Sequence, residues 1–139
     1  MSQKLMLVKY ELEDDIPIDE SSENLQSTYA PAELIGWIEE KKWSSEVKIK
    51  ESAGDAADIP VTVINDNKDN CLESILQNVE NKLIRCIEEA HSHVSEGLIV
   101  SKELDNDFSA LHIWLKVREV IKEKEGKYRN DYNIKLVIG

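Results

Sequence analysis

Residues 70–94 read NCLESILQNVENKLIRCIEEAHSHV, and their apolar side chains recur at spacings of three and four residues. This spacing places them on one side of an α-helix, and Asn70 followed by Glu73 matches a helix-starting capping box. The apolar stripe comprises Leu72, Ile75, Leu76, Val79, Leu83, Cys86, Ile87 and Ala90. It is wider than a two-helix coiled-coil seam, so we expect this helix to lie against a sheet and to end near Gly97.

The chain before this helix contains three stretches in which apolar and polar residues alternate, which is the period of a half-buried strand. These predicted strands cover residues 4–12, 46–51 and 59–64. Between the first two, residues 13–29 are polar and acidic and include Pro17, a composition that favours a loop. Pro31 suits the first turn of a short helix that follows this loop.

The chain after Gly97 permits two interpretations. Leu111, Ile113, Leu115 and Val117 alternate with polar or aromatic residues, and a turn at Glu125 and Gly126 would place Val117 opposite Ile134. We therefore predict a strand at residues 98–104, a turn at residues 105–107 and a long C-terminal hairpin. The alternative is a helix over residues 104–124, which are rich in helix-forming side chains.

Together these elements predict an α+β fold in the order β-α-β-β-α-β-β-β, with a mostly antiparallel sheet packed on the long central helix at about residues 70–94. A length of 139 residues is that of a single domain, residues 1–139. The N-terminus lacks the apolar core of a signal peptide, and no run of residues is apolar enough to cross a membrane. We expect a soluble, cytoplasmic protein with two reduced cysteines, Cys71 and Cys86.

The formal net charge is −11, and nearly all of it comes from one segment. Residues 10–40 contain ten acidic residues and neither lysine nor arginine, while the rest of the chain carries 18 acids and 17 bases. A negative surface of this kind attracts basic proteins and repels nucleic acid and anionic membranes. The alternative explanation of this acidic segment is a solvated loop that keeps the protein soluble and needs no partner.

The charge map favours a small binding protein that acts by contact: an inhibitor, antagonist or immunity-type protein, as found in phage or toxin–antitoxin systems. We expect it to occlude a basic partner, such as a nuclease or another enzyme that acts on nucleic acid, without contacting nucleic acid or a membrane itself. The predicted partner-binding residues are Glu11, Glu13, Asp14, Asp15, Asp19, Glu20 and Glu23. Their carboxylates would pair with the cations that the partner normally offers to phosphates.

Two other functions remain open. The first is a structural subunit of a homo-oligomeric assembly, whose edge strands pair with neighbouring copies. The second is a metal-dependent hydrolase or nuclease that uses Glu46 and Lys48 on one strand. Against an enzyme, the sequence has no phosphate-binding glycine loop and no nucleophile elbow, and its charge is opposite to that of a phosphate-binding groove. We therefore predict no catalytic residues, no metal and no cofactor.

Overall fold

The computed structural model of the protein describes residues 3–54, 57–65, 70–98 and 101–139. Within these residues the chain forms five strands and three helices, which confirms the predicted α+β class. In chain order they are β1 (Gln3–Glu13), β2 (Ile16–Ala30), α1 (Ala32–Glu40), β3 (Ser44–Lys50), β4 (Asp58–Ile64), α2 (Cys71–Ser95), α3 (Lys102–Glu125) and β5 (Ile134–Ile138). Strands β1, β3 and β4 and helices α1 and α2 lie where the sequence predicts them.

The five strands form a closed barrel in which neighbours follow the order of the chain. Four of the pairings are antiparallel, namely β1 with β2, β3 with β4, β4 with β5 and β5 with β1. The barrel closes through a short parallel contact between Ile18 of β2 and Lys50 of β3. The backbone N–H of Glu20 extends this contact by donating to the carbonyl of Glu51 at 3.0 Å. Strand β3 ends at Lys50, and within the described residues no strand pairs with that edge of β2 from there to Ala30.

Alternate residues of the strands belong to two separate hydrophobic clusters. Leu5 and Leu7 of β1 pack in the larger cluster together with residues of all three helices. Val8 and Tyr10 of the same strand pack instead in a smaller cluster that contains only strand residues. Five strands enclose too little space for a helix, so the larger cluster lies on the outer face of the barrel and the smaller one inside it. The core is therefore not built around one central helix, and that part of the predicted arrangement is not confirmed.

Helix α2 ends as predicted but begins differently. At its C-terminus Gly97 adopts a φ of +82°, and the N–H of Leu98 donates to the carbonyl of His93 at 2.9 Å. This is the glycine-dependent stop expected from the sequence. At the N-terminus Asn70 adopts a left-handed φ of 54° and its side chain makes no capping hydrogen bond. The predicted capping box is therefore wrong.

The prediction of a loop at residues 13–29 is also wrong, because most of this segment is strand β2. Its polar composition is compatible with a strand since many of its side chains point to solvent and β1 supplies hydrogen-bonding partners along most of its length. Pro17 is the second residue of the strand, beside the turn, where a missing N–H costs little.

The predicted C-terminal meander is wrong, and the helical alternative over residues 104–124 is correct. Helix α3 spans Lys102–Glu125, so the strand at residues 98–104, the turn at 105–107 and the long hairpin do not form. Ile99 and Val100 lie outside the described residues. The hydroxyl of Ser101 caps the helix by accepting the N–H of Leu104 at 3.2 Å.

The cause of this error is visible in the burial of α3. Val117 is fully buried, whereas Leu115 is 43% exposed, so the alternating apolar residues do not share one face. The N-terminal half of α3 packs against α2, and its C-terminal half also contacts the barrel. A helix whose buried side shifts along its length loses the regular 3.6-residue pattern. The terminal strand β5 pairs with β1 and β4 instead of with residues 113–117.

Among the described residues no helix combines the length and the apolar character that crossing a membrane requires. Cys71 and Cys86 are both buried and form no disulfide within the described residues, and the Cys71 thiol donates a hydrogen bond to the carbonyl of Asn65 at 2.7 Å. Cys86 packs in the larger cluster as a small apolar side chain, as its place in the helix stripe predicts.

Candidate protein-binding surface

The tip of the β1–β2 hairpin carries two adjacent aspartates. Glu13 pairs with Ile16, which leaves Asp14 and Asp15 as a two-residue turn. Their φ angles are 51° and 65°. Positive φ at both positions is the signature of a type I′ turn, which usually contains asparagine and glycine. Both carboxylates are exposed at the end of the hairpin.

Two further acids lie on β1, and they differ in their surroundings. Glu11 is exposed. Glu13 is half-buried and forms an ion pair with Lys50 at 3.3 Å. Its second carboxylate oxygen accepts the backbone N–H of Gly54 at 3.0 Å. Glu13 therefore ties the end of β1 to the segment after β3, and this predicted partner-binding carboxylate is already neutralised inside the protein.

Asp19 and Glu20 lie in a wide bulge of β2. The β1–β2 register passes from Lys9 opposite Glu23 to Glu11 opposite Ile18, so residues 19–22 of β2 face a single residue of β1. The hydroxyl of Ser22 donates to the carbonyl of Asp19 at 2.7 Å. A bulge of this kind bends the strand and redirects its side chains, and here both carboxylates are exposed. Glu23, at the end of the bulge, is exposed as well.

The acids of the hairpin are not neutralised by the basic C-terminal part of the chain. Within the described residues, Glu13 is the one member of the predicted set with an ion pair. Arg118 pairs with Glu80 at 3.3 Å, Arg129 with Glu73 at 3.7 Å and Lys116 with Glu119 at 3.7 Å. We refer to the six exposed carboxylates as the acidic hairpin surface: Glu11, Asp14, Asp15, Asp19, Glu20 and Glu23.

A cleft of about 430 Å³, the barrel cleft, opens beside the bulge and is lined by residues of β1, β2, β4 and β5 and by Gly139. Met6, Val8, Val61 and Val137 supply apolar lining, and Asp19, Ser22 and Asn24 supply polar lining from β2. Tyr10 also lines the cleft and is only 3% exposed. Burial, and secondly the negative charge of Asp19, raise the pKa of Tyr10 above its usual value.

The sequence does not reveal this cleft. Tyr10 belongs to the alternating apolar series of the first strand, and by that pattern it is an ordinary core residue. The bulge that places Asp19 beside it depends on the pairing of β2 with β1. A segment interpreted as a loop offers no signal for a register shift.

Glu46 and Lys48, the residues of the alternative hydrolase hypothesis, are both exposed on β3. They lie opposite Thr62 and Pro60 of β4, so the neighbouring strand adds no carboxylate. Across the described parts of the chain, no three His, Cys, Asp or Glu side chains are grouped so that they could hold a metal ion.

The chain was compared with protein-family models, with curated proteins and with solved structures, and no match was found.

Proposed function

We propose that the protein is a binding module that contacts a basic protein through the acidic hairpin surface and inhibits it. In this proposal the partner is a nuclease or another protein with a basic groove for nucleic acid, and the chain acts as an antagonist or immunity-type protein. The observation that supports the proposal is that six exposed carboxylates, with no ion pair in the described residues, lie on one β-hairpin and its bulge.

The mechanism is occlusion. A concentrated negative surface raises the rate of encounter with a basic surface, over a range of about 8–10 Å at ordinary salt. In the complex the carboxylates accept charge-assisted hydrogen bonds from lysines and arginines that would otherwise bind phosphates. The partner's groove is then covered, and a nucleic acid substrate is excluded from it.

Charge alone gives rate and specificity more than affinity, so such a surface also needs apolar anchors. Leu12 and Ile16 flank the turn and are 47% and 38% exposed. Their side chains lie close to Asp14 and Asp15 in sequence, at the same end of the hairpin. They supply apolar area next to the charges. By contrast, Ile18, another apolar residue of this segment, is buried and cannot serve as an anchor.

Affinity capture from the native host tests this proposal. The bait is the full chain, and it is compared with a variant that carries Asp14→Lys, Asp15→Lys, Glu20→Lys and Glu23→Lys. We expect a basic protein that is retained by the native chain at low salt, released at high salt and not retained by the variant. Retention of the same protein by both baits would contradict the role of the acidic hairpin surface.

A specific observation also favours the homo-oligomer as a second candidate. Ile84 and Ile87 on α2 and Phe108 and Leu115 on α3 are large apolar side chains that remain exposed. Large apolar side chains that stay exposed on two neighbouring helices can supply the apolar area of a contact between subunits. Light scattering at micromolar concentration distinguishes the candidates, because a monomeric mass excludes an obligate assembly. An oligomer that dissociates on Ile87→Asp would favour the second one.

A further inference from the structure

We propose that the barrel cleft is a binding site for an organic cation: an alkyl chain that carries an ammonium group. This site shares Asp19 with the acidic hairpin surface, but it differs in kind because it is a cleft with an apolar lining and not a set of exposed charges. Its existence does not require that the hairpin bind a basic protein.

The volume and the lining of the cleft suit a small molecule with an alkyl chain. Its volume of about 430 Å³ lies within the range of small-molecule sites, about 300–1,000 Å³. Met6, Val8, Val61 and Val137 provide an apolar wall for a chain of methylene groups. Because burying methylene groups removes apolar surface from water, the alkyl part contributes most of the affinity.

The hydroxyl group of Tyr10 supplies a further polar group at the cleft. The Tyr10 residue is only 3% exposed, and its hydroxyl makes no hydrogen bond to any described residue. Because no fully buried side-chain nitrogen or oxygen of the described residues lacks a hydrogen-bond partner, this hydroxyl still reaches the open space of the cleft, where water or a ligand can bind it. The hydroxyl group of a cleft-lining tyrosine is available to accept a hydrogen bond from an ammonium N–H.

The charge of the cleft lining favours a cationic ligand. Asp19 also lines the cleft, and the lining residues include neither lysine nor arginine. The carboxylate of Asp19 forms no ion pair within the described residues. An anionic ligand would be repelled by this exposed carboxylate, whereas an ammonium group would be attracted to it. A neutral ligand would gain nothing from it, so the cleft selects cations.

The ammonium group can come from a free amine or from a lysine side chain of a partner protein. The free edge of β2 adjoins the cleft, and an extended peptide could add to that edge while its lysine enters the cavity. Both sources share the same chemistry, so two probes are needed to distinguish them.

The test is a titration of the full chain followed by NMR, with the backbone amides of Tyr10, Val61 and Val137 as reporters. The first probe is n-hexylammonium, with n-hexanol and n-hexanoate as neutral and anionic controls of equal chain length. The second is the blocked tripeptide Val-Lys-Val. We expect saturable shifts of these amides with hexylammonium and weaker or no shifts with the two controls. Tighter binding of the tripeptide than of hexylammonium would assign the site to a partner's lysine, and the reverse order would assign it to a free amine.

Two matched variants isolate the charge. Asp19→Asn removes the carboxylate and is expected to weaken hexylammonium binding by about tenfold, the effect of losing one charge-assisted hydrogen bond. Glu20→Gln removes a neighbouring charge of the same bulge that does not line the cleft, and we expect the dissociation constant to stay close to the native value. Tyr10→Phe, which keeps the ring, is expected to weaken binding less than Asp19→Asn does.

Three results would overturn the proposal. The first is the absence of saturable shifts with both cationic probes. The second is equal binding of hexylammonium, hexanol and hexanoate, which would mean that the charge of Asp19 plays no part. The third is an equal effect of Asp19→Asn and Glu20→Gln, which would indicate a general attraction to the acidic bulge and not a site in the cleft.

Discussion

Lys124 is the clearest case of a single residue that organises a segment of this chain. Its side chain is on α3 and is only 2% exposed, which is rare for a lysine. Its ammonium group donates hydrogen bonds to the carbonyls of Tyr128 and Asp131 at 3.1 and 3.0 Å. These carbonyls belong to the connection between α3 and β5. Lys124 therefore fixes the path by which the last strand enters the barrel.

Replacing Lys124 with methionine keeps much of its volume but removes the ammonium group. Each carbonyl then loses the ammonium donor and keeps only a backbone N–H, that of Asp131 for Tyr128 and that of Ile134 for Asp131. We therefore expect the free energy of unfolding to fall by about 1–3 kcal/mol. Urea denaturation followed by circular dichroism measures the change. Lys122→Met, at an exposed position of the same helix, serves as the control and should stay within about 0.5 kcal/mol of the native protein. Equal stability of the two variants would show that Lys124 does not hold this connection.

The turn of the β1–β2 hairpin contains two residues that are unfavourable there. Asp14 and Asp15 both adopt positive φ, where a glycine has no steric penalty. We expect Asp15→Gly to raise the free energy of unfolding by about 1 kcal/mol. The thermal midpoint should rise with it. Asp19→Gly is the control: Asp19 is not among the positive-φ residues, so glycine there should destabilise the protein. A drop in stability for Asp15→Gly would mean that its carboxylate stabilises the fold.

The sequence correctly predicts the helices and strands whose local hydrophobic pattern agrees with their burial in the fold. Strand β1 forms where its alternating pattern predicts it, and most of the apolar stripe of α2 becomes the buried side of that helix, although Ile87 stays exposed. For α3 the local pattern and the packing conflict, because α3 contacts α2 with one part of its surface and the barrel with another. Leu115 therefore stays exposed between buried Trp114 and Val117, and the resulting pattern resembles a strand.

The acidic hairpin surface and the barrel cleft can be predicted from the sequence only in part, because their geometry depends on how distant parts of the chain pair. Composition identifies the acidic segment and its residues, since ten acids without a base are visible in the sequence. Composition does not reveal that the segment is strand β2, that Glu13 is neutralised by Lys50 or that Asp19 lies beside Tyr10. Each of these depends on pairing between residues that are distant in the chain or on a register shift within the hairpin.

Helices α2 and α3 are joined by a contact between His93, near the end of α2, and Asp107, near the start of α3. The Nδ1 of His93 forms a hydrogen-bonded ion pair with the carboxylate of Asp107, which is buried. The hydrogen bond to Asp107 is the main cause that raises the pKa of His93 above its usual 6.5, and the charges of Asp107, Glu96 and Glu103 act in the same direction. The contact is therefore strongest when His93 is protonated.

This contact makes the stability of the protein depend on pH. Because the pKa of His93 is higher in the folded state than in the unfolded state, its contribution is complete below about pH 6.5 and is lost as the pH rises through the folded pKa. We expect the urea midpoint of the native chain to exceed that of Asp107→Asn at pH 6. The difference should shrink as the pH rises above 7. A difference that stays constant from pH 6 to 8.5 would exclude this role for His93.

At the scale of the whole molecule, charge is distributed unevenly between two regions. The acidic hairpin surface carries carboxylates without partners in the described residues, whereas acids of the helices are partly matched by cations. Glu33 of α1 pairs with Lys82 of α2, and Arg118 of α3 pairs with Glu80 of α2. The ion pairs of the helical region lie within and between helices. The hairpin is therefore the region whose field is available to an external partner.

The central claim is that this hairpin, and not the total charge of the molecule, guides binding to a basic partner. The measurement that tests it most directly is the association rate constant with the captured partner, at several salt concentrations, for two variants. The first reverses Asp14, Asp15, Glu20 and Glu23 to lysine. The second reverses Glu39, Glu40, Glu88 and Glu89, which are exposed on α1 and α2. Each reversal adds two positive units, so both variants change the formal net charge from −11 to −3.

We expect the hairpin variant to associate about tenfold or more slowly at low salt and to lose most of its salt dependence. The helix variant should stay much closer to the native rate, because its charges lie on α1 and α2 and not on the proposed contact surface. An equal slowing of both variants, or no slowing of the hairpin variant, would contradict the claim.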